Sequence, residues 1–259
     1  MKFTANLSML FTEYPLLMRF RMAAMEGFDK VEIQFPYSET IGDIAEQLNL
    51  NDQQLILINT PAGNWEAGER GIACHPDRIE EFRAGVHKAG EYASALGVKR
   101  VNVLAGIKPD HVSSDEATEV FSENLSFAGK YFAERDIAVM AEGINTYDIP
   151  GFFLNHSKQA FDLIERIGQP NLYYQYDVYH MQLMEGNLIN TLTEHLDQIG
   201  HIQIADVPGR HEPGTGEINF PNLFKALEAM GYSGHISLEY LPAQGTQAGL
   251  DWLKPLTTT

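Results

Sequence analysis

Four side chains of the types that bind hard metal ions stand at or near the ends of short β-rich segments in the second half of the chain. They are Glu142 in IAVMAEG, Asp177 in LYYQYD, Gln203 in HIQIAD and Glu239 in HISLEY. A carboxylate at the end of a buried strand is costly unless a positive charge pairs with it. Three carboxylates and an amide oxygen that converge from four strands would offset this cost by holding one divalent cation. Because all four donors are oxygens, the sequence favours Mg²⁺ or Mn²⁺ as the cofactor.

Each of these residues also has a simpler interpretation. A single carboxylate at a strand end is often a helix cap or a surface group, and Gln203 alone fits an ordinary polar residue inside a barrel strand. For all four together this explanation is weaker, because successive strand ends would have to carry such residues independently. We therefore expect the four side chains to meet at one site.

Two further side chains follow the same strands and are candidates for binding a substrate. His180 lies in DVYHM, within reach of the same site, and could hydrogen-bond or polarise a substrate oxygen. Arg210 lies in PGRHEPGTGE, and its planar guanidinium matches a substrate carboxylate bidentately. Arg70 is a fainter candidate for the same role. The simpler alternatives are a loop histidine and a surface ion pair of Arg210 with Glu212 or Glu217.

Eight segments rich in β-branched or aromatic residues predict the strands that must position these side chains. The predicted strands are Phe3–Leu7, Val31–Phe35, Leu55–Asn59, Arg100–Leu104, Ile137–Glu142, Leu172–Asp177, His201–Ala205 and His235–Tyr240. Segments with helical periodicity lie between them: one opens at Pro76 and closes at Gly97, one starts at Ser113, and one lies between Pro221 and Gly231.

Strand and helix alternate along the chain without a linker, which predicts a parallel sheet in a single domain over residues 1–259. The length matches the roughly 250 residues of a (β/α)8 TIM barrel, whose chemistry lies at the carboxyl ends of the strands. A doubly wound open sheet is the structural alternative, but no glycine-rich phosphate loop follows the first strand.

Composition limits the classes of partner. The formal net charge is −17, from 35 acidic and 18 basic residues, which disfavours binding to nucleic acid or to an anionic membrane. Cys74 is the single cysteine, so no disulfide forms within the chain and no cysteine-rich zinc site is available. The segment after Met1 lacks the pattern of a signal peptide, and no apolar run reaches the roughly 18 residues of a membrane span. We expect a cytoplasmic protein, and apolar helix faces are compatible with a homo-oligomer.

Several long strings along nearly the whole chain, in loops as well as strands, resemble the hydroxypyruvate isomerases of the xylose-isomerase-like barrel superfamily. They are ANLSMLFTEY, PAGNWEAGERGIACHP, DIPGFFL, QYDVYHMQLMEGNL, HIQIADVPGRHEPGTGEINF and GHISLEY. The resemblance implies a (β/α)8 barrel, a divalent metal held by the same four residues, and Glu142 and Glu239 as the proton-transferring pair. It also implies a small 2-oxo or hydroxy acid substrate and a place in glyoxylate metabolism. One departure is Gly143, where the family commonly has proline.

For such an enzyme we expect proton transfer through an enediolate that interconverts hydroxypyruvate and tartronate semialdehyde. A related group acts on four-carbon 2-oxo-tetronates, and a ketose 3-epimerase is the next enzymatic alternative. Two alternatives come from other classes. An endonuclease of the same superfamily would need a histidine-rich metal cluster and a basic face, which Gln203 and the net charge disfavour. A non-catalytic binding module would use the carboxylates only to stabilise the fold.

Overall fold

The computed structural model describes residues 1–254, and its eight parallel strands close into a barrel in chain order. β8 completes the closure by pairing with β1, from Lys2 opposite His235 to Ala5 opposite Leu238. The strands are β1 (Lys2–Asn6), β2 (Lys30–Ile33), β3 (Gln54–Asn59), β4 (Arg100–Val103), β5 (Ala138–Glu142), β6 (Leu172–Asp177), β7 (Ile199–Ile204) and β8 (His235–Leu238). The predicted barrel and its eight strands are confirmed, with ends that differ by at most two residues.

Helices follow the strands and cover the outside of the barrel. The α-helices are α1 (Leu16–Met25), α2 (Ile41–Leu50), α3 (Ile79–Leu96), α4 (Ser114–Ala133), α5 (Ser157–Ile167), α6 (Val178–Met184), α7 (Leu188–His195), α8 (Phe220–Ala229) and α9 (Thr246–Gly249). Short 3₁₀ turns span Pro36–Ser38, Trp65–Ala67, Pro76–Arg78, Leu196–Gln198 and Asp251–Leu253. Within residues 1–254, none of the helices combines the length and the apolar character that crossing a bilayer requires.

The helix ends follow the capping signals of the sequence. The Ser113 side chain accepts a hydrogen bond from the backbone N–H of Glu116 and so caps α4. Gly97 ends α3 with a φ of 70°, a left-handed conformation that glycine adopts without strain. Pro76 opens a 3₁₀ turn, and α3 itself begins three residues later, because Arg78 leaves the helical path between the two segments.

Alternate strand residues divide between an apolar outer face and a polar interior. Residues such as Val101, Val139 and Ile202 are fully buried in the hydrophobic core. The Glu32 carboxylate of β2 contacts Nε2 of His201 in β7, although β1 and β8 separate these strands around the barrel. Only side chains that point into the barrel can meet in this way, so a buried contact between a carboxylate and an imidazole crosses the barrel interior.

Candidate active site

Three carboxylates and one amide gather at the carboxyl-terminal mouth of the barrel, as the strand ends predict. Glu142 and Asp177 are the last residues of β5 and β6, and Glu239 directly follows β8. Gln203 is the penultimate residue of β7. All four residues are buried, with at most 4% of the surface of each exposed, so each side chain depends on its protein neighbours for hydrogen bonds and charge compensation.

Glu239 is held by four donors from different parts of the mouth. Its Oε2 accepts hydrogen bonds from Asn6 Nδ2 at 2.8 Å and from the Gln203 amide. Its Oε1 accepts from Gln34 Nε2 at 3.0 Å and from an Arg210 terminal nitrogen at 2.7 Å. Burial raises the pKa of Glu239 to about 8 against the opposing charge of Arg210. Such a group can both hold and release a proton near neutral pH.

Glu142 is the second buried glutamate, and it has fewer donors. Asn102 Nδ2 donates to its Oε2 at 2.7 Å. Burial raises the pKa of Glu142 well above that of an ordinary glutamate, and the charges of Glu239 and Asp177 raise it further. The two glutamates therefore oppose each other's ionisation, which is the electrostatic relation of a paired acid and base.

Asp177 joins the end of β6 to the start of α6. Its Oδ1 accepts a hydrogen bond from the backbone N–H of Tyr179 at 2.9 Å and caps the helix, which places His180 on the side of the mouth. Its Oδ2 lies 3.4 Å from Arg210 and 3.4 Å from His180 Nε2. Burial raises the pKa of Asp177, although Arg210 and the capping N–H act in the opposite direction.

His180 is buried beside the carboxylates rather than solvated in a loop. One ligand atom each from Glu142, Asp177 and His180 lie within 4.8 Å of one another, close enough to share a metal ion. The other ring nitrogen, Nδ1, lies 2.7 Å from Asn145 Nδ2. Burial, assisted by Arg210, lowers the pKa of His180 well below its usual value, so the ring is neutral at pH 7.

The side-chain oxygen of Gln203, the atom that would bind a metal ion, is already occupied by a hydrogen bond. The Nε2 of Gln203 donates to Glu239 and lies 3.3 Å from Glu32, while its Oε1 accepts from Gln175 Nε2 at 2.7 Å. The amide oxygen therefore faces Gln175. The assignment of Gln203 as a ligand stays a prediction, and it requires the amide to turn its oxygen toward the cation.

Arg210 is folded against the carboxylates, so its predicted alternative, a surface pair with Glu212 or Glu217, is wrong. Its ion pairs are with Glu239 and Asp177, and the guanidinium lies 5.2 Å from the centre of the Tyr179 ring. Burial alone would lower the pKa of Arg210, but the surrounding carboxylates outweigh it and raise the pKa. Its Nε is buried without a hydrogen-bond partner among residues 1–254.

The loop after β7 is built around a buried aspartate that the sequence did not single out. Asp206 accepts hydrogen bonds from the backbone N–H groups of Val207, Gly214, Gly216 and Ile218 at 2.9 to 3.0 Å. Arg210 has a φ of 57°, and its carbonyl accepts from the N–H of Leu241 at 2.8 Å.

Arg70, the fainter candidate, lies elsewhere. Its guanidinium stacks 3.9 Å from the centre of the Trp65 ring and donates to the carbonyls of Trp65 at 3.0 Å and Glu69 at 2.7 Å. The contacts that the structure shows for Arg70 thus lie within its own loop. A role in substrate binding stays a prediction.

Gly143, the departure from the family pattern, has a local cause. A Cβ at this position would lie 2.5 Å from the Tyr174 hydroxyl and 3.0 Å from Met181 Cε. Neither distance leaves room for a side chain, because Tyr174 is fully buried. Glycine therefore allows the β5 loop to pass over Tyr174.

The donor set fits a hard divalent cation. Three buried carboxylates face one guanidinium, and their raised pKa values show that the protein alone compensates their charge incompletely. Oxygen donors of this kind suit Mg²⁺ or Mn²⁺. His180 lies beside these oxygen donors, within 4.8 Å of atoms of Glu142 and Asp177.

Known proteins resemble this chain over almost its full length. The family model described as xylose isomerase-like TIM barrel matches residues 20–256. Hydroxypyruvate isomerase from Escherichia coli (strain K12) is 51% identical over 255 residues, covering 98% of this chain and 99% of the relative. A 2-oxo-tetronate isomerase from Cupriavidus necator is 42% identical over 254 residues, with 98% of each chain covered.

Solved structures share the architecture. The crystal structure titled AP endonuclease, family 2, from Brucella melitensis has a TM-score of 0.95 at 41% identity and covers 98% of this chain and 99% of its own. D-psicose 3-epimerase from Clostridium cellulolyticum H10 has a TM-score of 0.81 at 17% identity, with coverage of 98% and 99%. The second likeness concerns the fold alone.

Proposed function

The chain belongs to the xylose isomerase-like TIM barrel family and is an enzyme of the isomerase type found among its curated relatives, and we propose that it interconverts hydroxypyruvate and tartronate semialdehyde. The observation that carries the proposal is the pair of buried glutamates, Glu142 and Glu239, with Arg210 bonded to one of them. A proton-transfer pair beside a guanidinium suits a substrate that carries both an acidic C–H and a carboxylate.

The two compounds are isomers, so the reaction relocates hydrogen without an external oxidant. Hydroxypyruvate has a ketone at C2 and a hydroxyl at C3, and tartronate semialdehyde has the two exchanged. One glutamate removes the C3 proton, and the electron pair of that bond forms the C2=C3 bond of an enediolate. The hydroxyl proton on O3 then moves to O2, the electron pair left on O3 forms the C3 carbonyl, and the pair of the C2=C3 bond takes a proton at C2, which completes the exchange. The pair works in both directions, because the carboxylate that accepts a proton in one direction donates it in the other.

Glu142, Asp177 and Glu239, with Gln203 as the fourth donor, are the residues that would hold the divalent cation. When bound, the cation supplies Lewis-acid stabilisation of the negative charge that develops on the substrate oxygens. Asn102, Asn6 and Gln34 keep the two glutamates in place through the hydrogen bonds described above. Buried, preorganised partners of this kind limit the reorganisation that the reaction requires.

Arg210 is proposed to bind the substrate carboxylate. One terminal nitrogen already contacts Glu239 and Asp177, and the unpaired Nε is a further donor. A planar guanidinium offers two parallel N–H groups, which fit a carboxylate better than a single ammonium does. This arrangement favours an acid over the neutral ketose of a 3-epimerase.

The second candidate substrate is a four-carbon 2-oxo-tetronate, because relatives of that name are 42% and 43% identical over 98% of the chain. The two substrates share the 2-oxo acid group and differ in the carbon chain beyond it. An assay of the metal-stripped protein with added Mg²⁺ or Mn²⁺ compares them directly, with a neutral ketose as the third substrate. Highest activity toward hydroxypyruvate is expected, and activity confined to the ketose would reject the proposal.

Turnover in heavy water tests the reaction type. A proton that rests on a glutamate exchanges with solvent before its return, so deuterium should appear on the receiving carbon. A hydride shift would carry the original hydrogen across instead. Complete retention of that hydrogen, under conditions where product does not rebind, would eliminate the two-glutamate mechanism.

A further inference from the structure

His180 can serve the site in two incompatible ways, and its proton decides between them. A neutral histidine has one ring nitrogen that carries hydrogen and one with a free lone pair. If the lone pair is on Nε2, the nitrogen nearer Asp177, His180 can ligate a cation. If Nε2 carries the hydrogen, His180 can only donate a hydrogen bond there.

The side chain of Asn145, fully buried in the loop after β5, determines which ring nitrogen of His180 carries the hydrogen. Its Oδ1 accepts hydrogen bonds from the backbone N–H groups of Tyr147 at 3.0 Å and Asp148 at 2.8 Å. Backbone N–H groups only donate, so the atom facing them must be the amide oxygen. This pair of bonds fixes which end of the Asn145 amide is oxygen and which is nitrogen.

The amide nitrogen of Asn145 therefore faces the remaining two partners. Nδ2 donates to Asp148 Oδ2 at 2.9 Å and lies 2.7 Å from His180 Nδ1. The backbone N–H of Asn145 also points to the same ring nitrogen, at 3.4 Å. Two donors face Nδ1, so Nδ1 must be the acceptor and the ring hydrogen lies on Nε2.

On the other side of the ring, Nε2 lies 3.4 Å from Asp177 Oδ2. A hydrogen on Nε2 suits this carboxylate neighbour, whereas a lone pair there would face its negative charge. The cluster of Glu142, Asp177 and His180 is then made of two carboxylates and one N–H donor, not of three metal ligands.

We propose that Asn145 is a positioning residue that locks His180 as a neutral Nε2–H donor, which keeps the imidazole out of the metal ligand set and directs its N–H to a substrate oxygen. The substrate part of this proposal rests on the proposed function. The tautomer part does not. The Nε2–H tautomer also explains how a site for a hard metal ion can lie beside a histidine, because only oxygen donors remain for the cation.

The tautomer can be read directly from a protein labelled with ¹⁵N at histidine. Two-bond ¹⁵N–¹H spectra show which ring nitrogen carries hydrogen, and His180→Gln identifies the signal by its loss. The Nε2–H form is expected in the wild-type protein without substrate. The Nδ1–H form there would overturn the proposal, and this measurement needs no variant at position 145 to fold.

Asn145→Asp, made together with Asp148→Asn so that two carboxylates do not face each other at 2.9 Å, replaces the donor to His180 with an acceptor and changes the shape little. A carboxylate only accepts, so Nδ1 of His180 is expected to gain the hydrogen and Nε2 to gain a free lone pair. A carboxylate behind a histidine ligand changes metal affinity about 10- to 100-fold. Calorimetry with Zn²⁺ and Mg²⁺ is therefore expected to show a Zn²⁺-to-Mg²⁺ affinity ratio raised by at least about tenfold, together with a lower kcat.

Asn155→Asp is the matched control. Asn155 lies in the same loop and contacts a different histidine, with its Oδ1 2.5 Å from His156 Nδ1 on the surface. Made in the same Asp148→Asn background, this change adds the same charge but should leave the His180 tautomer and the affinity ratio unchanged. An Asn145→Asp protein with the wild-type tautomer and ratio would contradict the lock. Failure to isomerise hydroxypyruvate with the Nε2–H form intact would reject the proposed function alone.

Discussion

Two long loops leave the carboxyl-terminal rim of the barrel, one after β3 and one after β7, and each carries an arginine that the sequence nominates for substrate binding. The β7 loop folds around the buried carboxylate of Asp206 and places Arg210 against Glu239 and Asp177. The β3 loop folds around Glu69, a partly exposed carboxylate that pairs with Arg78, and leaves Arg70 on Trp65.

The difference teaches that a loop's chemistry depends on which charges it is folded against. Each loop carries three glycines, two glutamates and one arginine, so composition alone does not distinguish them. Burial distinguishes the two loops. Arg70 packs on the exposed ring of Trp65 and is a structural group, whereas Arg210 lies beside buried carboxylates and is a candidate for substrate binding. Changes made in matched pairs across the two loops test this distinction.

The largest effect is expected at Glu239. Glu239→Gln keeps the shape of the side chain but cannot accept a proton, so kcat should fall by roughly 10² to 10⁴. The matched change Glu69→Gln should leave kcat within about twofold, since Glu69 only organises its loop. Initial-rate assays with hydroxypyruvate measure both. Near-normal turnover by the Glu239 variant would remove it from the acid–base pair.

Asp206→Asn is expected to give the largest loss of stability. Two of the four backbone N–H groups around the carboxylate would face an amide nitrogen instead of an oxygen. Each hydrogen bond to a charged group contributes about 1.5 to 3 kcal/mol, so the free energy of unfolding should fall by about 3 kcal/mol or more. Urea denaturation checks this value. A loss below about 1 kcal/mol would show that the loop does not depend on Asp206.

Arg210→Lys retains the charge but loses the planar fork. We expect a loss of about 1.5 to 3 kcal/mol in substrate binding, which raises KM by roughly one to two decades. Arg70→Lys should change KM by less than about twofold, because its contacts stay within the β3 loop. If Arg70→Lys proves the more damaging of the two in steady-state assays, the carboxylate site belongs to the β3 loop.

The two regions should respond to pH with opposite signs. The pKa of Glu239 is raised to about 8, so the folded metal-free protein binds a proton that the unfolded chain releases, and stability is lost as pH rises from about 4.5 to about 8. The hydrogen bond from Arg78 lowers the pKa of Glu69. The contribution of Glu69 to the free energy of unfolding is therefore lost as pH falls below the pKa of an ordinary glutamate.

Thermal unfolding of the metal-free protein across this pH range tests the first sign. The melting temperature should fall as pH rises, and Glu239→Gln should reduce the slope. A slope that the substitution leaves unchanged would place the responsible proton on another group, with Glu142 and Asp177 next, since burial raises the pKa of both.

The smallest effect is expected for stability at Glu69. Arg78 has other partners, since it also pairs with Glu81 at 2.6 Å, and the Glu69 side chain is 30% exposed. Partly exposed ion pairs contribute roughly 0 to 1 kcal/mol, so Glu69→Gln should lower the free energy of unfolding by less than about 1 kcal/mol. Urea titration beside the Asp206 variant gives this value on the same scale.

The sequence predicted the barrel and the strand ends of the site because both follow from local patterns. Leu172–Asp177 is a run of aromatic and aliphatic residues that stops at a carboxylate, and the structure ends β6 at the same residue. Closure of the barrel then brings Glu142, Asp177 and Glu239 together without any further information.

Contacts across the barrel could not be predicted in the same way. The pair of Glu32 and His201 joins residues far apart in sequence, and only the closed geometry places β2 opposite β7. The orientation of the Gln203 amide depends on Gln175 and Glu239 together. Asn145 did carry a local signal, since Asn-x-x-Asp in INTYD is typical of a side chain that caps its own turn, but its partner His180 lies on another element.

The polar interior of the barrel also sets where the protein can be improved by engineering. Thr4 is fully buried in β1, and its hydroxyl has no hydrogen-bond partner among residues 1–254. Natural proteins rarely sit at their stability optimum, and such positions tolerate isosteric apolar replacement. Thr4 is therefore a place where thermal tolerance can be raised, whereas the same substitution among the polar residues bonded to Glu239 and Glu142 would exchange catalytic rate for robustness.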